Sequence, residues 1–244
     1  MKKFLGFVGA IFISTFAIAQ TISIDWVADE NIYAQTTCDV GDNLVLPSTP
    51  PTKYGHTFVG WVKPEYAELE YIAFAVGRSI DTGFVPNAGI TIEAKIKHGS
   101  TKAFIGSCDS GIELNYDQYT FRKTGQTRSK TDYTDIVILY LQTTGTNFIG
   151  KIDDTYVVNE SDVTFNKSVN SPNMRIGIAC GNSPRGGQYY YVKIWDGDGV
   201  LVRDMIPAQR LSDDAVGMYD KANNQFYTIS GSGDYEAGPI VGAF

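Results

Sequence analysis

Short runs of alternating apolar and polar residues, separated by turn residues, make up most of the chain. The clearest run, ITIEAKIK at 90–97, places apolar Ile90, Ile92, Ala94 and Ile96 on one side and polar Thr91, Glu93, Lys95 and Lys97 on the other. Such alternation predicts a β-strand with one buried and one solvated face. Comparable runs follow: KAFIGSC, GIELNYD, YTFRKTG, DIVILYLQTT, NFIGKIDDTYVV, MRIGIACG and GQYYYVKIWD. With no long amphipathic helix between them, residues 64–244 predict an antiparallel β-sandwich.

A smaller region of the same kind precedes the sandwich. TISIDWV places Ile22, Ile24 and Trp26 on one face, which predicts a strand. A short apolar run at 44–46, a proline-rich loop and a strand with Phe58 and Trp61 follow. Large aromatic residues are mostly packed, so Phe58 and Trp61 are predicted to form the core of a small unit spanning 20–63.

The first residues have a different pattern. MKKFLGFVGAIFISTFAIAQ opens with Lys2 and Lys3, continues with an almost wholly apolar run, and ends in Ala17-Ile18-Ala19. This order is typical of a secretory signal peptide with a small-x-small cleavage site. The apolar run is shorter than the roughly 20 residues of a membrane-spanning helix. Residues 1–19 are therefore predicted to be cleaved near Gln20, which gives a bacterial protein that is secreted or held at the cell surface, with no membrane span.

Composition limits the partners. The formal net charge of the 244-residue chain is −7, and loss of the two signal lysines takes it to −9. An acidic surface argues against nucleic acid and against anionic membranes. Cys38, Cys108 and Cys180 are an odd number, so at most one internal disulfide forms. Pairing of Cys108 with Cys180 and buried thiols both stay open.

The first region resembles a known repeat. VGDNLVLPSTPPTKYGHTFVGW, with its Leu-Pro run and Gly-x-Thr-Phe-x-Gly-Trp signature, resembles the Listeria–Bacteroides repeat of internalin B-type surface proteins, although His56 stands where Tyr is commoner. The resemblance implies a small β-grasp-like unit at 20–63. Arrays of such repeats act as stalks or spacers, and a single copy implies a cap or docking unit.

The second region has a resemblance of its own. EYIAFAVGRSIDTGFVPNAGITIEAKI, then VKIWDGDGVLVRDMIPAQRLSDDAVGMYDKANNQFYT, resemble a concanavalin A-like lectin/glucanase domain of the laminin-G-like kind. Such domains recur in secreted bacterial proteins and in phage tail or decoration proteins. The resemblance implies a jelly roll of two large antiparallel sheets and often sugar or protein binding. The expected fold class is thus all-β: an antiparallel jelly-roll β-sandwich with a small N-terminal β-grasp-like unit.

The sequence motifs give little support for a catalytic function. A glucanase of this fold places carboxylates as Glu-x-Asp-x-x-Glu along one strand, flanking the sugar bond. The nearest segment runs from Glu113 to Asp117, with Asn115 in place of the central Asp and no second Glu. His56 and His98 are the only histidines, and no Gly-x-Ser-x-Gly elbow accompanies them. The chain is therefore predicted not to be an enzyme.

The stretch GVLVRDMIPAQRLSDDAVGMYD at 199–220 contains many charged residues, which we interpret as structural and not as catalytic. Arginine pairs with carboxylates or backbone carbonyls, so Arg203, Asp204, Arg210 and Asp220 are predicted to pin a corner of the sandwich. Pro207 is predicted to end its strand because proline donates no ladder hydrogen bond.

A calcium site is the alternative use of the acidic turn before that stretch. WDGDG at 195–199 offers Asp196 and Asp198 as oxygen ligands, and calcium takes six to eight oxygens. Asp-Gly between two strands is also a tight hairpin turn signal, which we favour. No cofactor is predicted, with calcium left open.

Ligand binding is assigned to aromatic and polar clusters. Sugar C–H faces stack on aromatic rings, and amides or charged groups bind the hydroxyls. Because alternate strand residues face opposite sides, Tyr190 is predicted to face away from Tyr189 and Tyr191. The candidate ligand residues are Tyr116, Tyr119, Tyr189, Tyr191, Asn182 and Arg185.

The sequence thus predicts a secreted, non-enzymatic adhesion or binding protein, a lectin-like module that recognises glycans or a host or cell-surface protein. The same tyrosine and arginine surface also suits protein contact. Self-assembly into a surface filament, coat or phage-type decoration is the first alternative, and a glycoside hydrolase is the second.

Export should remove the predicted signal peptide. Mass spectrometry of the exported chain is expected to find Gln20 as the first residue and no peptide from 1–19. Recovery of the intact N-terminus from the same fraction would contradict the signal-peptide prediction.

Overall fold

The computed structural model describes residues 2–8, 21–28, 31–39, 42–62, 64–74, 77–85, 89–97, 103–107, 111–114, 118–122, 126–129, 136–144, 147–161, 173–177 and 187–243. Strands and turns account for the secondary structure of these residues, and no helix occurs among them. The described part of the chain therefore contains no helix long and apolar enough to cross a membrane.

Twenty-three strands follow one another along the described part of the chain. They are β1 Lys2–Val8, β2 Thr21–Ala28, β3 Asn31–Asp39, β4 His56–Val62, β5 Tyr66–Leu69, β6 Ile72–Phe74, β7 Arg78–Asp81, β8 Ile90–Lys97, β9 Ala103–Gly106, β10 Gly111–Leu114, β11 Gln118–Arg122, β12 Gln126–Ser129, β13 Ile136–Thr144, β14 Asn147–Ile152, β15 Thr155–Glu160, β16 Arg175–Ile176, β17 Gly187–Trp195, β18 Leu201–Arg210, β19 Ala215–Asp220, β20 Gln225–Thr228, β21 Ser230–Gly231, β22 Tyr235–Ala237 and β23 Ile240–Ala243.

The chain divides into two compact units. The first comprises Met1–Glu68, Arg210–Asp214 and Ile240–Phe244, and the second comprises Leu69–Gln209 and Ala215–Pro239. The first unit thus takes in two segments from the C-terminal part of the chain, whereas the sequence places a single boundary after residue 63.

The first unit contains a four-stranded sheet in the order β3-β2-β1-β4. The predicted strand at TISIDWV is confirmed, because Ile24 and Trp26 are fully buried on β2. Its antiparallel partner β3 is not indicated by the sequence pattern, whose apolar and polar positions do not alternate cleanly. The apolar run at 44–46 lies outside any strand and is exposed. The β-grasp-like character of this unit stays a prediction.

A strand from the predicted signal peptide also lies in this sheet. β1 pairs with β2 in an antiparallel and with β4 in a parallel arrangement. In the full chain this segment therefore occupies the position between the two strands that the sequence does predict.

The second unit is built from two antiparallel sheets. The larger sheet has the path β15-β14-β13-β8-β17-β18-β19-β20, with β6 paired to β17 and β22 paired to β6. The other sheet has the order β12-β11-β10-β9-β16-β7-β21. This arrangement confirms the predicted all-β, antiparallel sandwich.

Alternation along the strands builds the core of this unit. On β8 the even positions from Ile90 to Ile96 are buried, as the sequence predicts. The other sheet contributes Ile80, Ile105 and Ile176. The alternation predicts Thr91 in solvent, but this residue is only 8% exposed, because it lies between Gln142 and Trp195 of the neighbouring strands.

Pro207 does not end its strand, so that prediction is wrong. β18 continues past Pro207 to Arg210. The register that joins β18 to β17 reaches only to Met205, opposite Val192. Pro207 lies beyond that pair, so its lack of an N–H group removes no hydrogen bond between β18 and β17.

A β-bulge in β17 decides which tyrosines face the core. Against β8, Tyr189 lies opposite Ile96 and Tyr191 lies opposite Lys95, so one extra residue, Tyr190, stands between two consecutive partners. A bulge of this kind shifts the alternation by one position. Tyr189 is therefore fully buried, and both Tyr190 and Tyr191 are half-buried.

The predicted role of Tyr189 as a ligand residue is consequently wrong. Its ring packs 5.2 Å from the ring of Phe74, measured between centroids, and no part of the side chain is accessible to solvent. The predicted opposition of Tyr190 and Tyr191 is wrong for the same reason, since the bulge interrupts the period of two.

Truncation of the buried tyrosine should destabilise the second unit. Tyr189→Ala is expected to lower the free energy of unfolding by about 3–5 kcal/mol, because it removes a large aromatic side chain from a packed core. Tyr54→Ala, at a fully exposed tyrosine, is the control and should change it by no more than about 0.5 kcal/mol. Chemical denaturation measures both, and equal effects would contradict the core position of Tyr189.

Candidate functional site

The outward side of the larger sheet carries a cluster of tyrosines and charged residues. The strands β15, β14, β13, β8 and β17 lie side by side in that order, and their outward positions meet across the register. We call this surface the tyrosine face and define it by Glu93, Lys95, Tyr140, Lys151, Tyr156, Tyr190, Tyr191 and Lys193.

At the centre of the tyrosine face Tyr191 binds Glu93. The Tyr191 hydroxyl donates a hydrogen bond of 3.1 Å to Oε1 of Glu93. The Lys193 ammonium lies 5.6 Å from the centroid of the Tyr191 ring, and Lys193 is the cross-strand partner of Glu93. Burial, together with the charge and hydrogen bond of Glu93, raises the pKa of Tyr191 to about 12. The hydroxyl thus stays protonated at neutral pH and remains a donor.

Two further tyrosines flank a lysine on the neighbouring strands. Lys151 of β14 pairs in register with Tyr140 on one side and Tyr156 on the other. Its ammonium lies 5.1 Å from the Tyr140 ring centroid and 4.6 Å from that of Tyr156. These are cation–π distances. Because Tyr140 is also the partner of Glu93, the row continues into the centre of the face.

Tyr190 extends the face towards β6. Its ring lies 5.7 Å from the Tyr71 ring, and the Lys95 ammonium lies 5.2 Å from its centroid. The Tyr71 hydroxyl donates a 2.6 Å hydrogen bond to Glu236, which raises the pKa of Tyr71 to about 12. Burial raises the pKa of Tyr190, and the Glu70 charge adds to the effect. Both hydroxyls stay protonated at neutral pH, and each donates within the protein, Tyr71 to Glu236 and Tyr190 to Gln188 at 3.0 Å.

Of the ligand residues predicted from sequence, one lies on this face. Tyr191 is central to it, whereas Tyr189 lies in the core. Tyr119 belongs to β11, of which only the backbone is described. Tyr116, Asn182 and Arg185 lie outside the described residues.

Most of the tyrosine face was not indicated by the sequence patterns. Alternation does place Glu93, Lys95 and Lys97 on the outward side of β8. Tyr140, Lys151 and Tyr156 could have been placed outward by the same argument. Their meeting with Tyr191 depends on strand order and register, which single-strand patterns do not contain.

The acidic turn at 195–199 forms a tight hairpin connection. Oδ1 of Asp196 accepts hydrogen bonds from the backbone N–H of Asp198 at 3.0 Å and of Val200 at 2.9 Å. The Gly199 N–H donates to the Asp196 carbonyl oxygen. The predicted Asp-Gly turn is confirmed by these bonds, and calcium binding at Asp196 and Asp198 stays a hypothesis.

The charged stretch at 199–220 forms the predicted pinned corner at Arg203 and Asp220. The Arg203 guanidinium donates from Nε to the Thr82 carbonyl oxygen at 2.8 Å and lies 3.6 Å from Oδ2 of Asp220. The Asp220 carboxylate is fully buried and accepts from the N–H groups of Asp204 and Ala222 and from the Asn223 amide. Ile-Asp-Thr-Gly at 80–83 and Tyr-Asp at 219–220, far apart in sequence, thus meet at one arginine.

Arg210 is part of a separate, exposed pair in the first unit. It binds both carboxylate oxygens of Asp213, from Nε at 2.9 Å and from Nη2 at 2.6 Å. The hydrogen bond to Asp213 raises the pKa of Arg210, so its charge is fixed. This pair lies beside an open pocket of about 450 Å³ in the same unit, lined by Pro64, Glu65, Tyr66, Arg210, Leu211 and Ser212.

The described residues contain no candidate metal cluster, and the segment nearest to the glucanase motif has no described side chains. No group of three or more His, Cys, Asp or Glu residues that could hold a metal occurs among them. Glu113 lies on β10, of which only the backbone is described, and Asp117 lies outside the described residues. Of the cysteines only Cys38 is described, as a half-buried thiol.

The buried corner should contribute far more stability than the exposed pair. Asp220→Ala is expected to lower the free energy of unfolding by about 3–5 kcal/mol, because it removes the carboxylate beside Arg203 and leaves two backbone N–H groups without their buried acceptor. Asp213→Ala removes an exposed partner of another arginine and should cost about 1 kcal/mol or less. Thermal and denaturant unfolding measure both; a similar small cost at Asp220 would contradict the pinned corner.

Comparison with known proteins finds likenesses in structure. No family model and no curated protein matches the chain. Among solved structures, a Bacteroides ovatus protein to which carbohydrate binding is ascribed aligns with 95% of this chain and 72% of its own, at 9% identity and a TM-score of 0.48. A likeness at this level carries no inference about the ligand of the present chain.

Proposed function

We propose that the chain is a non-enzymatic glycan-binding module, secreted or held at the cell surface, and that its binding surface is the tyrosine face. The observation that carries this proposal is the interleaving of four outward tyrosines with three lysines and a glutamate across adjacent strands. Aromatic rings and charged groups at neighbouring positions are what sugar recognition requires: an apolar surface for ring C–H groups, and donors and acceptors for hydroxyls.

The rigidity of the sheet suits such a surface. Tyr140, Glu93 and Lys193 lie on three consecutive strands and are held in register by backbone ladders. Side chains on a sheet are held in position more precisely than side chains on loops, so binding a ligand costs them less conformational entropy. The central Tyr191–Glu93 hydrogen bond fixes both polar groups before a ligand arrives.

Binding without chemistry is the role we propose. The glucanase carboxylate spacing is missing from the sequence, and the central Glu93 accepts a hydrogen bond from a tyrosine whose pKa is raised. On β8, Glu93 is the single carboxylate, so this strand does not provide the carboxylate pair that a glucanase of this fold uses.

A second candidate is contact with another protein, including another copy of this chain. Ile136 and Ile138 are each 40% exposed on the outward side of β13. They lie opposite Lys97 and Lys95, next to the tyrosines. Exposed apolar residues beside tyrosines are typical of protein interfaces. Concentration-dependent assembly of the purified chain in sedimentation, reduced by Ile138→Lys, would favour this candidate.

Glycan binding is tested directly on a broad array. The chain from Gln20 to Phe244, with and without calcium, is expected to bind a defined set of glycans. Tyr191→Ala and Tyr156→Ala should each weaken binding by about tenfold, which corresponds to ~1.4 kcal/mol. Tyr54→Ala removes an exposed tyrosine of the first unit and is the matched control.

Each outcome has a definite meaning. Loss on changing the face tyrosines alone would establish the face as the site. Calcium dependence that Asp196→Ala abolishes would establish the hairpin turn as a metal site. A folded protein that binds nothing on the array would overturn the glycan proposal and leave protein contact.

A further inference from the structure

Positive charge is concentrated on the tyrosine face of an acidic chain. The four adjacent strands β14, β13, β8 and β17 contain five charged residues, of which four are lysines: Lys95, Lys97, Lys151 and Lys193. Glu93 is the fifth. The chain as a whole has a net charge of −7, so this surface has the opposite sign to the molecule that carries it. Asp204 of β18 is the cross-strand partner of Lys193 on the side away from Glu93, and Asp153 and Asp154 form the turn between β14 and β15.

Three of these lysines are positioned by tyrosine rings and not by carboxylates. The ammonium groups of Lys95, Lys151 and Lys193 lie 4.6–5.6 Å from the nearest tyrosine centroids. Within the described part of the chain none of the three forms an ion pair. Cation–π contacts hold a lysine in place without neutralising it, so the charge remains available.

These positions discriminate between neutral and acidic sugars. A neutral sugar that stacks on Tyr140, Tyr190 or Tyr191 from the side on which the ammonium lies has to displace that ammonium. A sugar that carries a carboxylate or sulfate group can bind the ammonium where it lies. Charge-assisted bonds of this kind are stronger than neutral ones.

The spacing of the lysines indicates a chain of sugars. Lys151 and Lys193 are separated by three strand steps, through Tyr140 and Glu93, in one cross-strand row. At roughly 4.8 Å a step, their backbones are about 14 Å apart. One acidic monosaccharide cannot contact both ammonium groups, whereas an oligosaccharide with repeated acidic groups can.

From these contacts we infer that the tyrosine face binds an anionic oligosaccharide, bearing carboxylate or sulfate groups, that lies across the strands with its acidic groups on Lys95, Lys151 and Lys193. This inference rests on the proposed glycan-binding function and names its ligand class.

Matched pairs of acidic and neutral glycans test it on the chain from Gln20 to Phe244. The probes are heparin oligosaccharides with their desulfated forms, oligogalacturonides with their methyl esters, and sialyllactose with lactose. The acidic member of at least one oligosaccharide pair is expected to bind more tightly than its neutral form, and to weaken as salt rises, because exposed charge contacts are screened. Sialyllactose, with a single acidic group, should bind more weakly than the oligomers.

The variants locate the charges. Replacing Lys95, Lys151 and Lys193 together by Gln should weaken acidic-glycan binding by about tenfold, because three exposed charge contacts are lost. The same residues changed to Arg should retain most of the affinity. Lys53→Gln removes one positive charge at an exposed lysine of the first unit and is the control for a charge lost outside the face.

The outcomes separate the two proposals. Binding of the neutral members alone, or binding that the three Gln substitutions leave unchanged, would overturn the acidic-ligand inference and keep glycan binding. Absence of binding to every probe and to a broad array by folded protein would overturn both.

Discussion

The extra residue in β17 is the constraint on which the candidate site depends. Before the bulge, Tyr189 points into the core against Phe74; after it, Tyr191 and Lys193 point outward. Without the bulge, the alternation of Val192 and Ile194 would be out of phase with Tyr189, and one end of the strand would place its apolar residues in solvent. The bulge reconciles the two halves and, as a consequence, presents two consecutive tyrosines on the same side of the sheet.

Local pattern was sufficient for the fold class and for the strands with clean alternation. β8 and β2 were predicted with their buried faces correctly assigned, because one residue type alternates with another over the whole strand. The pattern was insufficient for β3, for the continuation of β18 past Pro207, and for the tyrosines of β17. In these cases the deciding factor is a partner strand: β3 is paired along its length with β2, Pro207 lies beyond the ladder with β17, and the bulge exists only relative to β8.

The predicted signal peptide contributes the strand β1 to the sheet of the first unit. β1 is antiparallel to β2 and parallel to β4, so it satisfies backbone groups on both of its neighbours. Removal of the predicted signal peptide would expose those groups on two facing strand edges. Since β2 and β4 run antiparallel to each other, direct pairing between them is one geometrically sound way to satisfy the exposed groups, and addition of another strand is the other. Ile24 and Trp26 on β2 pack against Ala34 and Cys38 of β3, a contact to which the predicted signal peptide does not contribute.

The most conspicuous motif and the candidate site are different parts of the molecule for a physical reason. Of the arginines and aspartates in 199–220, Arg203 and Asp220 fix a corner by burying a carboxylate with its donors and by binding the carbonyl oxygen of Thr82, which is distant in sequence. A surface on a sheet face takes one to three residues from each strand, so its members are dispersed along the chain, from Glu93 to Lys193 in the tyrosine face. The densest charged stretch of this chain therefore supports the scaffold, and the tyrosine face is assembled only where the register brings eight residues from five strands together.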